Sequence, residues 1–365
     1  MNISIVILLC GLAILSASLL PLIDTYYWFV RALDFPRAQL MCLNLIYILI
    51  IFFRLPSNRI EIAGLILALI ALSVDLYRVG PYLPFYPVEA QSSKTAGSAK
   101  GVKVLSYNVF IKNKNFKGLT DLVDNKKPDM VVLLETDLEW EAALKNWSHG
   151  FTYSKYLPRE NTYGIVIYSN FEVIKTEVKY LVDKAVPSVF LDLMINGVES
   201  KLVVVHPRPP RPKEGTSLQR DGELAHLASI LEEFKNRPVI VIGDFNDVAW
   251  SHTSRLFKRV ARLKDPRIGR GFYNTFHTSY PIIRVPLDHI FHNDFFEVRT
   301  LEVLEDIGSD HYPIFGEFSL VSEKSKLKKE NDEPTSEEDK KEIVETKKDS
   351  KYWKGPKKED SEETE

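Results

Sequence analysis

Six short stretches end in side chains able to hold a water, an anion and a hard cation. They are "SYN" at Asn108, "LLE" at Glu135, "VVVH" at His206, "GDFN" at Asp244 and Asn246, "PLD" at Asp288 and "GSDH" at Asp310 and His311. Together these groups have the chemistry of phosphoester hydrolysis. A divalent cation such as Mg²⁺ takes oxygen ligands and keeps several waters, so one or two carboxylates anchor it, and Glu135 fits that role. An attacking water needs a carboxylate base, phosphoryl oxygens need donors, and the leaving oxygen needs a metal or a proton. Each residue alone has a plainer reading: Asn and Asp are frequent turn formers after strands, and a lone His is more often structural. Six such ends are much harder to obtain by chance.

Each of these residues follows or opens a short apolar run: Val102–Leu105, Met130–Leu134, Leu202–Val205, Val239–Ile242, His289–Phe291 and Ile314–Phe318, with further runs at Gly164–Tyr168 and Val189–Met194. Helical patterns lie between some of them, at Leu119–Asn125 and Ser217–Phe234. Several strands are apolar on consecutive positions, which predicts sheets covered on both faces and an α/β layered domain over 101–320. A glycine-rich phosphate loop followed by Lys is absent, as is a nucleophilic-serine elbow, so P-loop and serine-hydrolase chemistry are excluded. Cys10 and Cys42 both lie in apolar runs near the N-terminus, which leaves the layered domain with neither a disulfide nor a thiolate metal site.

Ahead of that domain, residues 1–80 read as a membrane region with three transmembrane helices, about 3–23, 38–54 and 62–79. A cleaved signal peptide would want basic residues before the first run and none are there. Tyr26, Tyr27 and Trp28 fit an interfacial aromatic belt. Positive-inside counting is close to a tie between Arg54 with Arg59 and Arg31 with Arg37. The tighter, acid-free Arg54–Arg59 turn tips it toward the cytoplasm, so a multi-pass protein of the cell membrane is expected, with its catalytic domain on the extracytoplasmic side. Residues 81–100 turn from Pro and aromatics to Ser, Ala and Gly, a flexible linker. The charged segment 321–365 has little to bury and predicts a disordered tail.

The order and spacing of "SYNVF", "LLETD", "VVVH", "IGDFND", "PLDHIF" and "GSDHYP" resemble the endonuclease/exonuclease/phosphatase superfamily over about Val102 to Phe318. The resemblance implies a four-layer sandwich of two mixed β-sheets flanked by helices, with the site at one edge of the sheets. It implies that Glu135 holds Mg²⁺, or Mn²⁺, with help from Asn108, and that Asp310 sits by this metal or a second cation. Asp244 would orient or deprotonate the water, and Asn246 and His206 would bind phosphate oxygens. His311 would meet the phosphate as its positive partner, held by Asp288. One departure stands out: apurinic-site nucleases of this superfamily usually carry Asp two residues after the first Asn, where this chain has Phe110.

Between Gly101 and Leu320 there are 28 basic and 29 acidic residues, so any polyanion must be met by local patches. "HPRPPRPK" places Arg208 and Arg211 just after His206 as candidate substrate-binding residues. "RLFKRVARLKDPRIGR" forms a second basic stretch, which reads equally as a phosphate-binding face or as an amphipathic helix with Leu256, Phe257, Val260 and Leu263 inward. Three functions follow: a nuclease or phosphodiesterase acting on nucleic acid, a lipid phosphodiesterase or phosphatase acting on headgroups, and an inactive scaffold, against which the intact strand ends speak. The lipid bilayer is an expected partner; no protein partner is inferred.

Overall fold

The computed structural model describes residues 2–93, 101–145, 147, 150–210, 215–321 and 335–351. It opens with three helices long and apolar enough to cross a membrane: α1 (Ile3–Leu19), then, after a one-turn helix α2 (Trp28–Arg31), α3 (Arg37–Arg54) and α4 (Arg59–Val79). Asn2 and Asn58 begin α1 and α4 by accepting backbone N–H bonds through their side chains. α1 and α4 run parallel, because Ser4 Oγ donates to Glu61 at 2.9 Å at one end and Ser18 Oγ to Asp75 at 3.0 Å at the other. Gly11 lies against Gly64 where a Cβ would meet a backbone oxygen at 2.7 Å, the small-residue contact that lets two apolar helices close up. α3 returns antiparallel, with Arg37 bonded to Asp34 and Asp75 at one end and Arg54 to Glu61 at the other.

The layered domain has two mixed sheets. The first contains β1 (Val102–Asn108), β2 (Met130–Leu134), β3 (Tyr153–Leu157), β4 (Ile165–Ser169), β10 (Phe296–Val303) and β11 (Ile314–Leu320), in the order β10-β11-β1-β2-β4-β3. The second is β5 (Glu172–Lys179), β6 (Ser188–Ile195), β7 (Val198–Val205), β8 (Val239–Asp244) and β9 (Asp288–His292), in chain order. β1 pairs with β2 and β7 with β8 in parallel; every other pairing is antiparallel.

Side chains alternate between the sheet faces. Val102, Val104, Val132 and Ile167 meet Leu191, Leu202, Val204 and Ile242 between the sheets. The intervening Leu105, Tyr107, Val131 and Leu133 pack outward on α5 (Phe116–Lys126) and α6 (Leu138–Lys145). On the far side, Val203, Val205 and Val241 pack on α7 (Leu218–Glu232) and α8 (His252–Val260). Four layers result, as expected, and the consecutive apolar runs exist because both faces of the central strands are covered.

Two expected boundaries differ. In the expected linker, Pro81–Ser93 is bound along the layered domain: Tyr82 Oη donates to Ala249 O, Glu89 accepts from Lys258, Arg270 donates to Ala90 O, and Ala90 is fully buried. Residues 94–100 lie outside the described residues. In the expected disordered tail, Glu337–Lys351 is a helix, α9, packed on α7. Ile343 is its buried anchor, an Arg259–Asp339 ion pair and a His252–Glu342 hydrogen bond clamp it, and Gly222 of α7 leaves room for Ser350. The rest of the tail lies outside the described residues.

The helices that could cross a membrane join the layered domain through a shared core of Met41, Val79, Tyr82, Trp250, Ile268 and Leu287. Trp250 Nε1 donates to Asp34 O at 2.7 Å, tying the loop after β8 to the chain just ahead of α3.

Candidate active site

β1, β2, β7 and β8 all end at the edge where β9 and β11 begin, because register sets Asn108 opposite Leu134, Val205 opposite Gly243 and Asp244 opposite Asp288. Asn108, Glu135, His206, Asp244, Asp288 and His311 are therefore brought to one place. Gly243 is needed for this. Its φ is +148°, and a Cβ would lie 1.9 Å from Val205 O, so only glycine lets β8 approach β7 closely enough to set Asp244 beside His206. Glu135 and Asn246 themselves adopt positive φ, at 61° and 51°. Such conformations are sparsely populated for non-glycine residues, and they turn these side chains out of the strand direction at the sheet edge.

Asp244 Oδ2 is the hub. Asn108 Nδ2 donates to it at 3.1 Å, His311 Nε2 lies 3.5 Å away and His206 Nε2 3.7 Å. Its other oxygen accepts from the Asn246 backbone N–H at 2.8 Å. Burial raises the Asp244 carboxyl above the usual carboxylate range; His311 opposes this and Asp288 reinforces it. Asp288 is displaced the opposite way: burial would raise it, but the charge of His311, the His311 bond and Thr275 hold it below its ordinary value. Two buried carboxylates with pKa values pushed apart suit two roles, a base and a fixed anion.

His311 lies between them. Nδ1 is 2.7 Å from Asp288 Oδ2, and Nε2 faces Asp244. Burial alone would depress the imidazole, but Asp288 and Asp244 raise it to about 10, so it is an imidazolium at neutral pH with both ring nitrogens as donors. Asp244, Asp288 and His311 bring their ligand atoms within 4.8 Å of one another. That geometry would suit a metal, but a protonated ring offers no lone pair, and the cluster reads as a carboxylate–imidazolium–carboxylate chain. His206 is opposite in character: burial lowers it, so it is neutral, and its Nδ1 is buried with no hydrogen-bond partner.

Glu135 is the better candidate for a cation. Its Oε1 accepts from Asn108 Nδ2 at 3.1 Å and its Oε2 from Ile111 N–H at 3.4 Å, a long contact. Among the described residues no Lys or Arg pairs with it. Burial raises its pKa; Asn108, His311 and Ile111 lower it, and Asp310 adds like charge. A half-buried, under-compensated carboxylate beside a second acid and a carboxamide is a donor set that suits a hard divalent ion. Asn108 currently turns both amide hydrogens to carboxylates, so sharing a cation with Glu135 requires its amide to flip.

Other expected residues are placed as follows. Asn246 donates one amide hydrogen to Pro207 O at 3.0 Å, which leaves the second available. Asp310 is half-buried, with its Oδ1 3.3 Å from Ser309 Oγ. Arg208, expected to meet substrate, is instead paired with Asp183 at 2.7 Å and lies over the Tyr163 ring. Arg211 lies outside the described residues.

Sequence reasoning missed four contributors. Ser309 Oγ donates to Asn108 O at 2.7 Å and accepts from His311 N–H, pinning "GSDH" to the end of β1. Thr275 holds the backbone of Asp288, Tyr163 packs at a tilt 5.4 Å from the His206 ring, and Phe276 packs 4.9 Å from the His311 ring. Ser309 stands inside a recognised stretch; the others carry no local signal.

The sequence model of the Endonuclease/Exonuclease/phosphatase family matches residues 105–311. No curated protein matches the chain. Among solved structures, a humanized D. rerio TDP2 with 14 mutations aligns at TM-score 0.51 and 18% identity, covering 60% of this chain and 99% of that one. A Bacteroides thetaiotaomicron endonuclease/exonuclease/phosphatase family protein aligns at 0.51 and 18%, covering 62% and 100%. D. rerio TDP2 complexed with single strand DNA product aligns at 0.50 and 17%, covering 60% and 99%. At these identities the likeness is one of fold.

Proposed function

The chain belongs to the endonuclease/exonuclease/phosphatase family, and from that premise we propose that it is a membrane-anchored, divalent-metal-dependent phosphoester hydrolase cleaving by attack of water on phosphorus. The observation that carries this reading is the convergence of Asn108, His206 and His311 on one oxygen of Asp244, with Glu135 alongside. Asp244, raised by burial, takes a proton from the attacking water. Imidazolium His311, oriented by Asp288, faces the phosphoryl oxygens as their positive partner. His206 Nε2 and the spare hydrogen of Asn246 Nδ2 add neutral donors. Glu135, with Asp310 and a flipped Asn108, would hold Mg²⁺ or Mn²⁺, which when bound offsets charge on the phosphoryl group and the leaving oxygen.

α1, α3 and α4 anchor this domain in the cell membrane, and their apolar side chains, from Leu9 and Leu12 to Ile46, Leu49, Ile66 and Leu69, are exposed as lipid requires. The Arg54–Arg59 turn lies at the end of the bundle away from the layered domain. If that turn is cytoplasmic, catalysis occurs on the other side of the membrane.

The substrate is a phosphodiester of nucleic acid or of a lipid headgroup. The D. rerio TDP2 structure with its single strand DNA product supports the first. Against a nucleic-acid groove on this chain, six of the seven basic residues from Arg255 to Arg270 are taken up internally: Arg255 by Tyr77, Lys258 by Glu89, Arg259 by Asp339, Lys264 by Asp294, Arg267 by Asp265 and Arg270 by Ala90 and Ser92. The test is hydrolysis of a phosphodiester in ¹⁸O-labelled water with Mg²⁺. Label in the phosphoryl product supports water attack at phosphorus, and label in the alcohol contradicts it.

A further inference from the structure

We infer that the loop Phe276–Pro286 inserts its tip into the surface of the bilayer holding α1, α3 and α4, so that the active site works on a phosphoester carried by a lipid. This rests on the phosphoester-hydrolase reading above and narrows its substrate class.

The tip is apolar and uncovered. Tyr280, Ile282 and Ile283 are 58%, 82% and 60% exposed, with Pro281 between them. The other exposed large apolar residues described in the layered domain, Leu138, Ile174, Tyr180 and Val198, are scattered singly. A contiguous exposed patch of this kind marks an interaction surface.

Its position says what covers it. Gln39 Nε2 donates to Ile282 O at 3.3 Å and to Arg284 O at 3.0 Å. Gln39 lies in the first turn of α3, whose 18 residues rise about 27 Å, close to the thickness of a hydrocarbon core. The first turn therefore marks one boundary of that core, and the loop tip is tied at the same level. One and two turns further along α3, Leu43 and Ile46 are already exposed as lipid-facing residues.

The other end of the loop is a wall of the active site. Phe276 packs on His311, Thr278 N–H donates to Asp310 O at 2.9 Å, and Thr278 Oγ1 donates to Ser309 O at 2.8 Å. Arg284, over the Tyr312 ring, donates to Thr278 O and braces the loop across its base. Four residues thus separate the site wall at Thr278 from the interfacial tip at Ile283. A headgroup phosphate at the bilayer surface meets the site directly. A long nucleic acid would have to run between the site and the membrane, with the basic stretch that could guide it already paired.

The test uses the full chain in nanodiscs of phosphatidylcholine and phosphatidylglycerol. A spin label is placed at Ile283→Cys, or at Val198→Cys at the opposite end of β7 from the site, in a Cys10→Ser, Cys42→Ser background. The expected result is relaxation of the 283 label more by oxygen than by an aqueous nickel chelate, and the reverse at 198. A 283 label as water-accessible as the 198 label overturns insertion. In parallel, Ile282→Asp with Ile283→Asp is expected to lower hydrolysis of vesicle phosphatidylglycerol by about tenfold or more while keeping the rate on soluble bis(4-nitrophenyl) phosphate. Equal effects on both substrates, or faster cleavage of single-stranded DNA than of vesicle lipid by the unmodified chain, overturn the lipid assignment. Failure of the unmodified chain to hydrolyse any phosphodiester removes the underlying reading and the substrate class with it, whereas the label depth reports on insertion alone.

Discussion

His311 gives Nδ1 to Asp288 at 2.7 Å and turns Nε2 toward Asp244 at 3.5 Å, so one imidazolium is held by a low-pKa carboxylate and faces a high-pKa one. The site's protonation state at neutral pH follows from this pair of contacts.

Replacing Asp288 with Asn removes the first-acting of the two charges that raise His311. Its pKa is expected to fall from about 10 toward the ordinary histidine range. The alkaline limb of kcat/KM should shift to lower pH, and the ¹⁵N titration of the His311 ring should move with it. An unchanged limb would mean that Asp288 does not set the charge of His311.

The same contact makes stability pH-dependent. Because the folded His311 pKa is raised, its contribution is fully present below the unfolded value near 6.5 and is lost as pH rises through about 10. Asp288, depressed in the fold, contributes above its unfolded value and loses that contribution as pH falls through its folded pKa. Denaturation midpoints between pH 7 and 11 should fall steeply for the wild type and more shallowly for His311→Ala.

Glu135 is expected to couple cation binding to folding. Mg²⁺ or Mn²⁺ at about 100-fold its Kd should stabilise the wild type by roughly 2.7 kcal/mol. The Glu135→Gln variant should show little or none of that rise in Tm. Equal shifts in both would place the cation elsewhere.

Gly243→Ala should be destabilised by more than about 2 kcal/mol, since the backbone angle is strained for any side chain and Val205 O blocks the Cβ. Denaturant titration checks this, and a neutral result would show that β7 and β8 can separate without loss.

Ile343→Ala tests the docking of α9. The loss expected is about 2 kcal/mol or more for a buried aliphatic anchor, with faster hydrogen exchange in α7 beneath it. Unchanged exchange would mean that α9 adds nothing to the domain.

The strands that line the core were legible because burial on both faces writes continuous apolar runs, and Met130–Leu134 has the same bounds in sequence and structure. Three strands were not: β3, β5 and β10, with the half-exposed sequences "YSKYL", "EVIKTEVK" and "FEVRTLEV". All three are sheet edges, where polar residues face water and the apolar run breaks up. α9 escaped notice for a related reason. Its composition offers one buried Ile343, and what docks it is an ion pair with Arg259 and a hydrogen bond with His252, which composition cannot anticipate. The strand-end residues of the candidate site were readable because parallel register carries them to a common edge. The pairing of Arg208 with Asp183, and the contacts of Thr275, Tyr163 and Phe276, depend on loops far apart in the chain and left no local trace.

The most direct measurement is kcat/KM of the full chain and of Asp244→Asn on bis(4-nitrophenyl) phosphate with Mg²⁺, both checked for the same fold by circular dichroism. Loss of the water's base predicts a fall of about 10²–10⁴-fold in the variant. A folded Asp244→Asn protein within tenfold of the wild type would contradict the account.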